Sequence, residues 1–269
     1  MSEHWSHSQL STWQGCGKRF ELERIKRYPT PPAWYLIAGK AIHKACDRFD
    51  GGLPPDWEAM FRMEIEVAAF EWPDESEWLA AGYGQAKQGY KHWLPKGAEH
   101  VQRWVDFREE NPQLRVVAVE AEVSHGTGTG EIKAFLDRVL YDEDKEEHIL
   151  LDIKSGSKRP ESKQQLGIYS VLWNISHEDE FFIREGYYFM TKDGGLHPKD
   201  GDLSHWTLDT LKKLGQEWNR AKEARIYLPV MSNGCETCSV KAACYVKSGD
   251  SPITREYDSL NPHYRGEKA

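Results

Sequence analysis

Two apolar runs constrain the fold most: EIKAFLDRVLYD (131–142) and HILLDIKS (148–155), flanking the acidic tip YDEDKEE (141–147). Short runs rich in Val, Ile and Leu around a polar turn predict an antiparallel hairpin. Strand side chains alternate between faces, so Asp152 and Lys154, two apart in ILLDIKSG (149–156), project side by side from a strand that should be buried. The preceding strand carries Asp137 in FLDRV. In a hairpin closed by the acidic tip, Asp137 and Asp152 lie on neighbouring strands.

More strands and helices surround this pair. VVAVEAEV (116–123) alternates and runs into the turn cluster HGTGTG (125–130). FIREGYYFMT (182–191) reads as a further strand. Residues 160–176 read as a helix with Pro160 in its first turn. Residues 207–226 form an amphipathic helix with Leu208, Leu211, Leu214, Trp218 and Ala221 on one stripe. Ahead of the strands, residues 5–50 predict two helices split by YPTPPAW, the second with Leu36, Gly39, Ile42, Cys46 and Phe49 at helical spacing. Residues 55–110 predict further helices rich in Trp and Glu. The organisation is therefore an α/β domain with a mixed sheet, divided into an N-terminal helical region (1–115), a core (116–230), a cysteine-bearing segment (231–247) and a loose polar tail (248–269).

The 269 residues suffice for one large core. No apolar run is long enough to span a membrane, and the N-terminus lacks the layout of a signal peptide, so the expectation is a cytoplasmic protein. The net charge of −8 weighs against a nucleic-acid partner, but charge is unevenly spread. Residues 154–163 hold Lys154, Lys158, Arg159 and Lys163 against Glu161, and residues 17–27 hold five basic groups against two glutamates. Either strip can meet phosphates. The tryptophans of 55–110, Trp72, Trp78, Trp93 and Trp104 among them, read first as core and second as surfaces on which bases stack.

Two carboxylates and a lysine converging on one strand pair suit a hard cation such as magnesium or manganese, which takes oxygen ligands. Such an ion lowers the pKa of bound water and neutralises charge on a phosphate. An ammonium beside it stabilises the transition state. The plain alternative is a buried ion pair. Gln165 and Tyr169, four apart in QQLGIY, share a helix face. His43 sits beside the apolar stripe of its helix. Glu120 can reach the same site from the adjoining strand.

Of five cysteines, Cys235, Cys238 and Cys244 form C-x2-C-x5-C, and Cys16 lies far upstream. Disulfides do not suit a cytoplasmic chain. A compact trio plus one remote thiolate is compatible with structural zinc or with an iron–sulfur cluster, and spacing alone does not choose between them. Cys46, on the apolar stripe, reads as a core residue.

Taken in order, Cys16, Gly39 with His43, Asp137, Asp152 with Lys154, Gln165 with Tyr169, and the cysteine trio resemble the RecB-type branch of the PD-(D/E)xK nucleases. More narrowly they resemble the iron–sulfur exonucleases that include the CRISPR-associated adaptation nuclease and the nuclease domain of AddB. The resemblance spans residues 8–245. It implies a restriction-endonuclease-like core in which His43, Asp137, Asp152 and the Ile153 carbonyl ligate Mg2+ or Mn2+, and Asp137, Asp152 and Lys154 are catalytic. It implies that Gln165 and Tyr169 contact DNA, with Lys158, Arg159 and Lys163 as backbone contacts suggested by their place beside the site. It implies a 4Fe-4S cluster on Cys16, Cys235, Cys238 and Cys244 that clamps the two ends of the domain. The chain departs from the pattern at Gly17, where relatives often have Pro, at Ala134, where they prefer Gly, and at Asp152, where many have Glu.

The function implied is metal-dependent exonucleolytic hydrolysis of DNA, preferring single-stranded ends, in recombination, repair or end processing. Without a nucleotide-binding motif in this chain, any helicase or recombination partner is a separate chain. Two rival readings share the same residues: a non-catalytic DNA-binding or assembly subunit, and a zinc-stabilised enzyme of the same fold.

Overall fold

A computed structural model describes residues 4–79, 89–128, 130–156, 158–177, 181–232, 234–235 and 238–248. The predicted loose tail lies outside the described residues, apart from residue 248. The chain opens with β1 (His4–Trp5), α1 (His7–Gly15), α2 (Gly17–Phe20) and a π-helical turn (Glu21–Ile25). Three helices follow: α3 (Trp34–Asp50), α4 (Trp57–Glu71) and α5 (Tyr90–Glu110). Then come β2 (Leu114–Gly126), β3 (Glu131–Asp142), β4 (Glu147–Lys154), α6 (Gln164–Ser176), β5 (Ile183–Met190), β6 (Gly195–His197) and α7 (Leu208–Glu223).

These strands form one mixed sheet. β2 runs antiparallel along the whole of β3, and β4 continues antiparallel from the hairpin as predicted. β5 returns parallel to β4 through the crossover helix α6, and β6 borders β5. On β3 the edge opposite β2 is shared. β4 pairs with Arg138–Asp142, while β1 pairs, in parallel, with Glu131 and Ile132. Among the described residues, no strand pairs with the stretch 133–137 between them on that edge. Asp137 sits at the fork where β4 leaves.

Each face of the sheet buries its own core. Ile132, Leu136, Val139, Leu150 and Tyr188 pack with Leu10, Phe20, Leu166, Leu172 and Trp218 from α1, α2, α6 and α7. Leu140, Leu151, Ile153 and Phe189 pack on the other side with Ile37, Ala41, Ile42, Phe61 and Trp104 from α3, α4 and α5. The N-terminal helices therefore share a core with the strands. Trp78 and Trp104 are core, while Trp72 is partly exposed and packs against the core. Cys46 is fully buried, as expected. The buried stripe of α3 is Ile37–Ala38–Ala41–Ile42–Ala45–Cys46, which includes Ile42 and Cys46 of the predicted stripe, with Phe49 packed against it, and leaves Leu36 off it. Leu36 is 58 % exposed and faces a cleft. The helix predicted from 160 begins at Gln164, because the carbonyl of Pro160 instead accepts a hydrogen bond from His197 Nε2. On α7, Thr207 caps the N-terminus by accepting from Thr210 N.

One fully buried cation locks α3 to the sheet. Arg138 donates to Asp50 and Asp47 of α3 and to the carbonyl of Asp137. Its guanidinium lies 5.5 Å from the ring of Trp104, whose indole N–H donates to Asp50. Burial opposes the charge on Arg138, but Asp50 and Asp47 outweigh it and raise its pKa. Among the described residues, no helix is long and apolar enough to cross a membrane.

Candidate active site

The fork between β3 and β4 leaves the backbone N–H of Ile153 without a strand partner, and the side chain of Asp137 takes its place. Asp137 Oδ2 accepts from Ile153 N at 2.8 Å and lies 3.4 Å from His43 Nδ1 of α3. Gly39, one turn before His43, makes that approach possible: a Cβ there would sit 3.0 Å from Ser155 Oγ at the end of β4. Glu120 completes the group. The β2–β3 register places it opposite Asp137, and it adopts a left-handed φ of 48°, a conformation costly for a residue other than glycine. Ligand atoms of His43, Glu120 and Asp137 lie within 4.8 Å of one another.

Asp152 and Lys154 project from one face of β4, with Lys154 Nζ 2.5 Å from Asp152 Oδ2. Gln165 on the first turn of α6 ties the two together. Its amide donates to Asp152 Oδ1 at 2.6 Å and to Tyr169 Oη at 3.1 Å, while its carbonyl accepts from Lys154 at 3.0 Å. Behind Lys154, Thr191 donates to the Lys154 carbonyl from both N and Oγ1, and His100 of α5 lies 2.8 Å from that hydroxyl.

Burial sets the electrostatics. It raises the pKa of Asp152 to about 6 despite Lys154, and Asp137 adds to the rise. It raises Asp137 as well, against the pull of Lys154 and the Ile153 N–H. Glu120 rises to about 7 through burial and then the nearby Asp137 charge. His43 is lowered by burial, which favours the neutral imidazole. Glu120 and Asp137, two converging carboxylates that resist ionisation with Asp152 nearby, form an arrangement that a divalent cation relieves. The donors fit such an ion: carboxylate oxygens with one imidazole suit magnesium or manganese. Asp152 Oδ2 adds a buried oxygen that accepts no well-directed hydrogen bond.

The family model of the PD-(D/E)XK nuclease superfamily matches residues 4–245, nearly the whole described chain. The chain belongs to this superfamily. Among solved structures, the chain is similar to SSO0001, at 14 % identity and a TM-score of 0.37 over 89 % of this chain and 95 % of that one. It is also similar to protein VC1899 from Vibrio cholerae, at 12 % identity and a TM-score of 0.24 over 83 % and 58 %. No curated protein matches it.

In this PD-(D/E)XK chain, the structure brings together His43, Asp137, Asp152, Lys154, Gln165 and Tyr169, all singled out in the sequence. Gln165 bonds to both members of the Asp152–Lys154 pair and Tyr169 accepts from Gln165, while both side chains stay partly exposed. Arg159 pairs with Asp193 at 2.8 Å, and Lys163 donates to the Asp202 carbonyl at 2.7 Å. Lys158 lines the cleft above it. The basic strip 17–27 is neutralised in part, with Lys18 and Lys26 on Glu21 and Arg19 on Glu23. Glu120 carries no motif; its only sequence signal is a charge inside an alternating strand.

The cysteines form a second locus. Cys16, Cys235, Cys238 and Cys244 line one small cavity with Arg19, Leu22 and Val240. All four are free thiols. Gly17 allows this join: a Cβ there would lie 2.9 Å from the backbone of Tyr227 and Leu228. Lys18 N donates to the Leu228 carbonyl, and Val230 N donates to Cys16 Sγ at 3.4 Å.

Proposed function

We propose that this PD-(D/E)XK nuclease is a divalent-metal-dependent deoxyribonuclease that removes nucleotides from single-stranded ends during recombination, repair or end processing, with any motor on a separate partner. The observation that carries the reading is the joined pair of groups: His43, Glu120 and Asp137 at one point, and Asp152, Lys154 and Gln165 beside them. His43, Glu120 and Asp137, with Asp152 and the Ile153 carbonyl adjoining, would hold the ion. When bound, Mg2+ or Mn2+ supplies an activated water and neutralises charge at the phosphate. The residues do the rest. Gln165 holds the Lys154 ammonium and the Asp152 carboxylate in one orientation. Lys154 then offers a fixed positive charge to the oxygens that gain negative charge as the phosphodiester is attacked. The burial of Asp152 beneath it lowers the local polarity on one side of Lys154 and strengthens that interaction.

The same reading assigns the four-cysteine cavity to a 4Fe-4S cluster that closes the loop between the N- and C-terminal segments. Its support is the convergence of four thiols from the two ends of the fold on one cavity. Zinc is the second reading, because four thiolates also satisfy a structural zinc site.

The test is cleavage of end-labelled single-stranded and duplex DNA with Mg2+ or Mn2+. Lys154→Ala and Asp152→Asn should each lose at least about a hundredfold in rate. If wild-type protein binds DNA and never cuts it, the binding-subunit reading replaces this one. Metal analysis of anaerobically purified protein decides the cysteines. A brown protein with iron and sulfide supports the cluster, and a colourless one with stoichiometric zinc rejects it.

A further inference from the structure

A cleft of about 1240 Å³ opens above the candidate active site. It exceeds the roughly 300–1,000 Å³ of ordinary small-ligand pockets, and its lining is organised by charge. At the floor lie His43, Glu120 and Asp137. Around the walls stand Lys40 from α3, Lys96 from α5, Lys158 from the β4–α6 connection and Lys192 from the β5–β6 turn. Lys40, Lys158 and Lys192 are exposed, and none of them has a carboxylate partner among the described residues. The other charges at the walls are spoken for: Lys44 pairs with Glu64, and Asp47 pairs with Arg138. At the α3 end the lip is apolar, with Tyr35 37 % and Leu36 58 % exposed. The buried ring of Trp93 lies below Lys96, 6.0 Å away.

We infer that one single strand of nucleic acid enters between α3 and α5, its phosphates led to the acidic floor by Lys40, Lys96, Lys158 and Lys192 and a base resting on Tyr35. This rests on the nuclease reading above and extends it to the substrate path. Four unpaired cations from four separate elements, converging on one cleft of a protein whose net charge is −8, form a local positive channel against the global sign. Lysine rails with an aromatic at the mouth are the features that bind single strands without reading sequence. A duplex presents its two backbones on the outside and suits an open basic face. Here the cations line the inside of a cleft walled by helices, and the floor is reached by a lone strand.

The experiment is fluorescence anisotropy of a labelled oligothymidylate in EDTA, where nothing is cleaved, over a salt series. Four lysine–phosphate contacts predict a slope of log K against log salt of about −2.8, at roughly −0.7 per contact. The variant Lys40→Gln/Lys158→Gln/Lys192→Gln should flatten the slope by about 2 and weaken binding at low salt. Lys212→Gln, on α7 against the other face of the sheet, should change neither. Tyr35→Ala should weaken binding about 5- to 150-fold at unchanged slope, the range for loss of one stacked base. A triple variant with wild-type affinity and slope overturns the path and leaves the nuclease reading standing, provided the wild type cuts. Unlabelled duplex that competes as well as unlabelled single strand overturns the single-strand assignment. Wild-type protein that neither binds nor cuts DNA overturns both.

Discussion

Replacing Arg138 with Met tests how the active site is held. The guanidinium is fully buried and satisfies Asp47, Asp50 and the Asp137 carbonyl together. Methionine keeps much of the volume and removes the charge. Breaking a buried ion pair by removing one partner costs about 3–5 kcal/mol, because the other charge is left without compensation. Two features put the expected cost near the lower end: Asp50 keeps Arg108 and the Trp104 indole, and the Asp47 side chain is 25 % exposed. A loss of about 3 kcal/mol in a chain of this size lowers Tm by about 6–12 °C. Urea and thermal unfolding in EDTA measure it without metal linkage. Adding Asp47→Asn and Asp50→Asn should restore part of the loss, since the uncompensated charges are then gone. His43, Asp47 and Asp50 follow one another at helical spacing on α3, so the single variant should also weaken Mn2+ binding. A loss below about 1 kcal/mol would refute the reasoning, for it would mean that Arg138 is hydrated and α3 is held by apolar packing alone.

Four further outcomes follow from the same geometry. Glu120→Gln should weaken Mn2+ binding in calorimetry by about tenfold or more while leaving thermal stability near wild type, as expected if its carboxylate is a ligand in a costly backbone conformation; unchanged affinity would remove Glu120 from the site. Gln165→Leu should lower the cleavage rate by about 10- to 100-fold with little change in DNA affinity, whereas a contact to DNA would show chiefly in affinity. Burial, and after it Arg103, holds His100 down at about 4. The unfolded chain therefore takes up a proton near pH 6.5 that the folded chain refuses, and the His100 contribution to stability is complete above pH 6.5 and lost as pH falls toward 4. Urea titrations of wild type and His100→Asn at pH 7 and pH 5 should show the smaller pH dependence in the variant. Gly17→Ala should loosen the cysteine cavity, with loss of bound metal in the purified protein, because its Cβ meets the Tyr227–Leu228 backbone at 2.9 Å; full metal content would show that the segments can shift.

Much of the frame was legible because its signals are local. The hairpin, the crossover helix and the amphipathic α7 follow from periodicity and turn composition, and Asp137 opposite Asp152 follows from the hairpin alone. The details were set by tertiary contact. The sequence offers Glu120 only as a charge on the adjoining strand; the positive φ and the register shift in β2 that accompany its place beside Asp137 leave no mark on residue types. The bonds of Gln165 to Asp152 and Lys154 follow from where the first turn of α6 lands on β4. The charges misled in a consistent way. Basic clusters visible along the chain, 17–27 and 158–163, recruit counter-ions nearby, as Arg159 does with Asp193. Of the lysines in the cleft, Lys158 belongs to the visible strip, whereas Lys40, Lys96 and Lys192 are far apart in sequence and form no run. β1 is two residues long and has no pattern to read.

The meeting of the chain's two ends bears on how the molecule is made. Phe20 and Trp13 pack their rings on Trp218, and Cys16 faces Cys235, Cys238 and Cys244, which are made much later. At synthesis rates of roughly 5–20 residues per second, the first helix waits many seconds for the surface that buries it. During that wait its aromatic face is open to solvent and to chaperones, and the thiol of Cys16 is open to oxidants. Synthesis of residues 218–244, rather than formation of the β3–β4 fork, is then the step that lets the first helix bury its aromatic face, and oxidants would act on Cys16 most easily in chains that have not yet reached that segment.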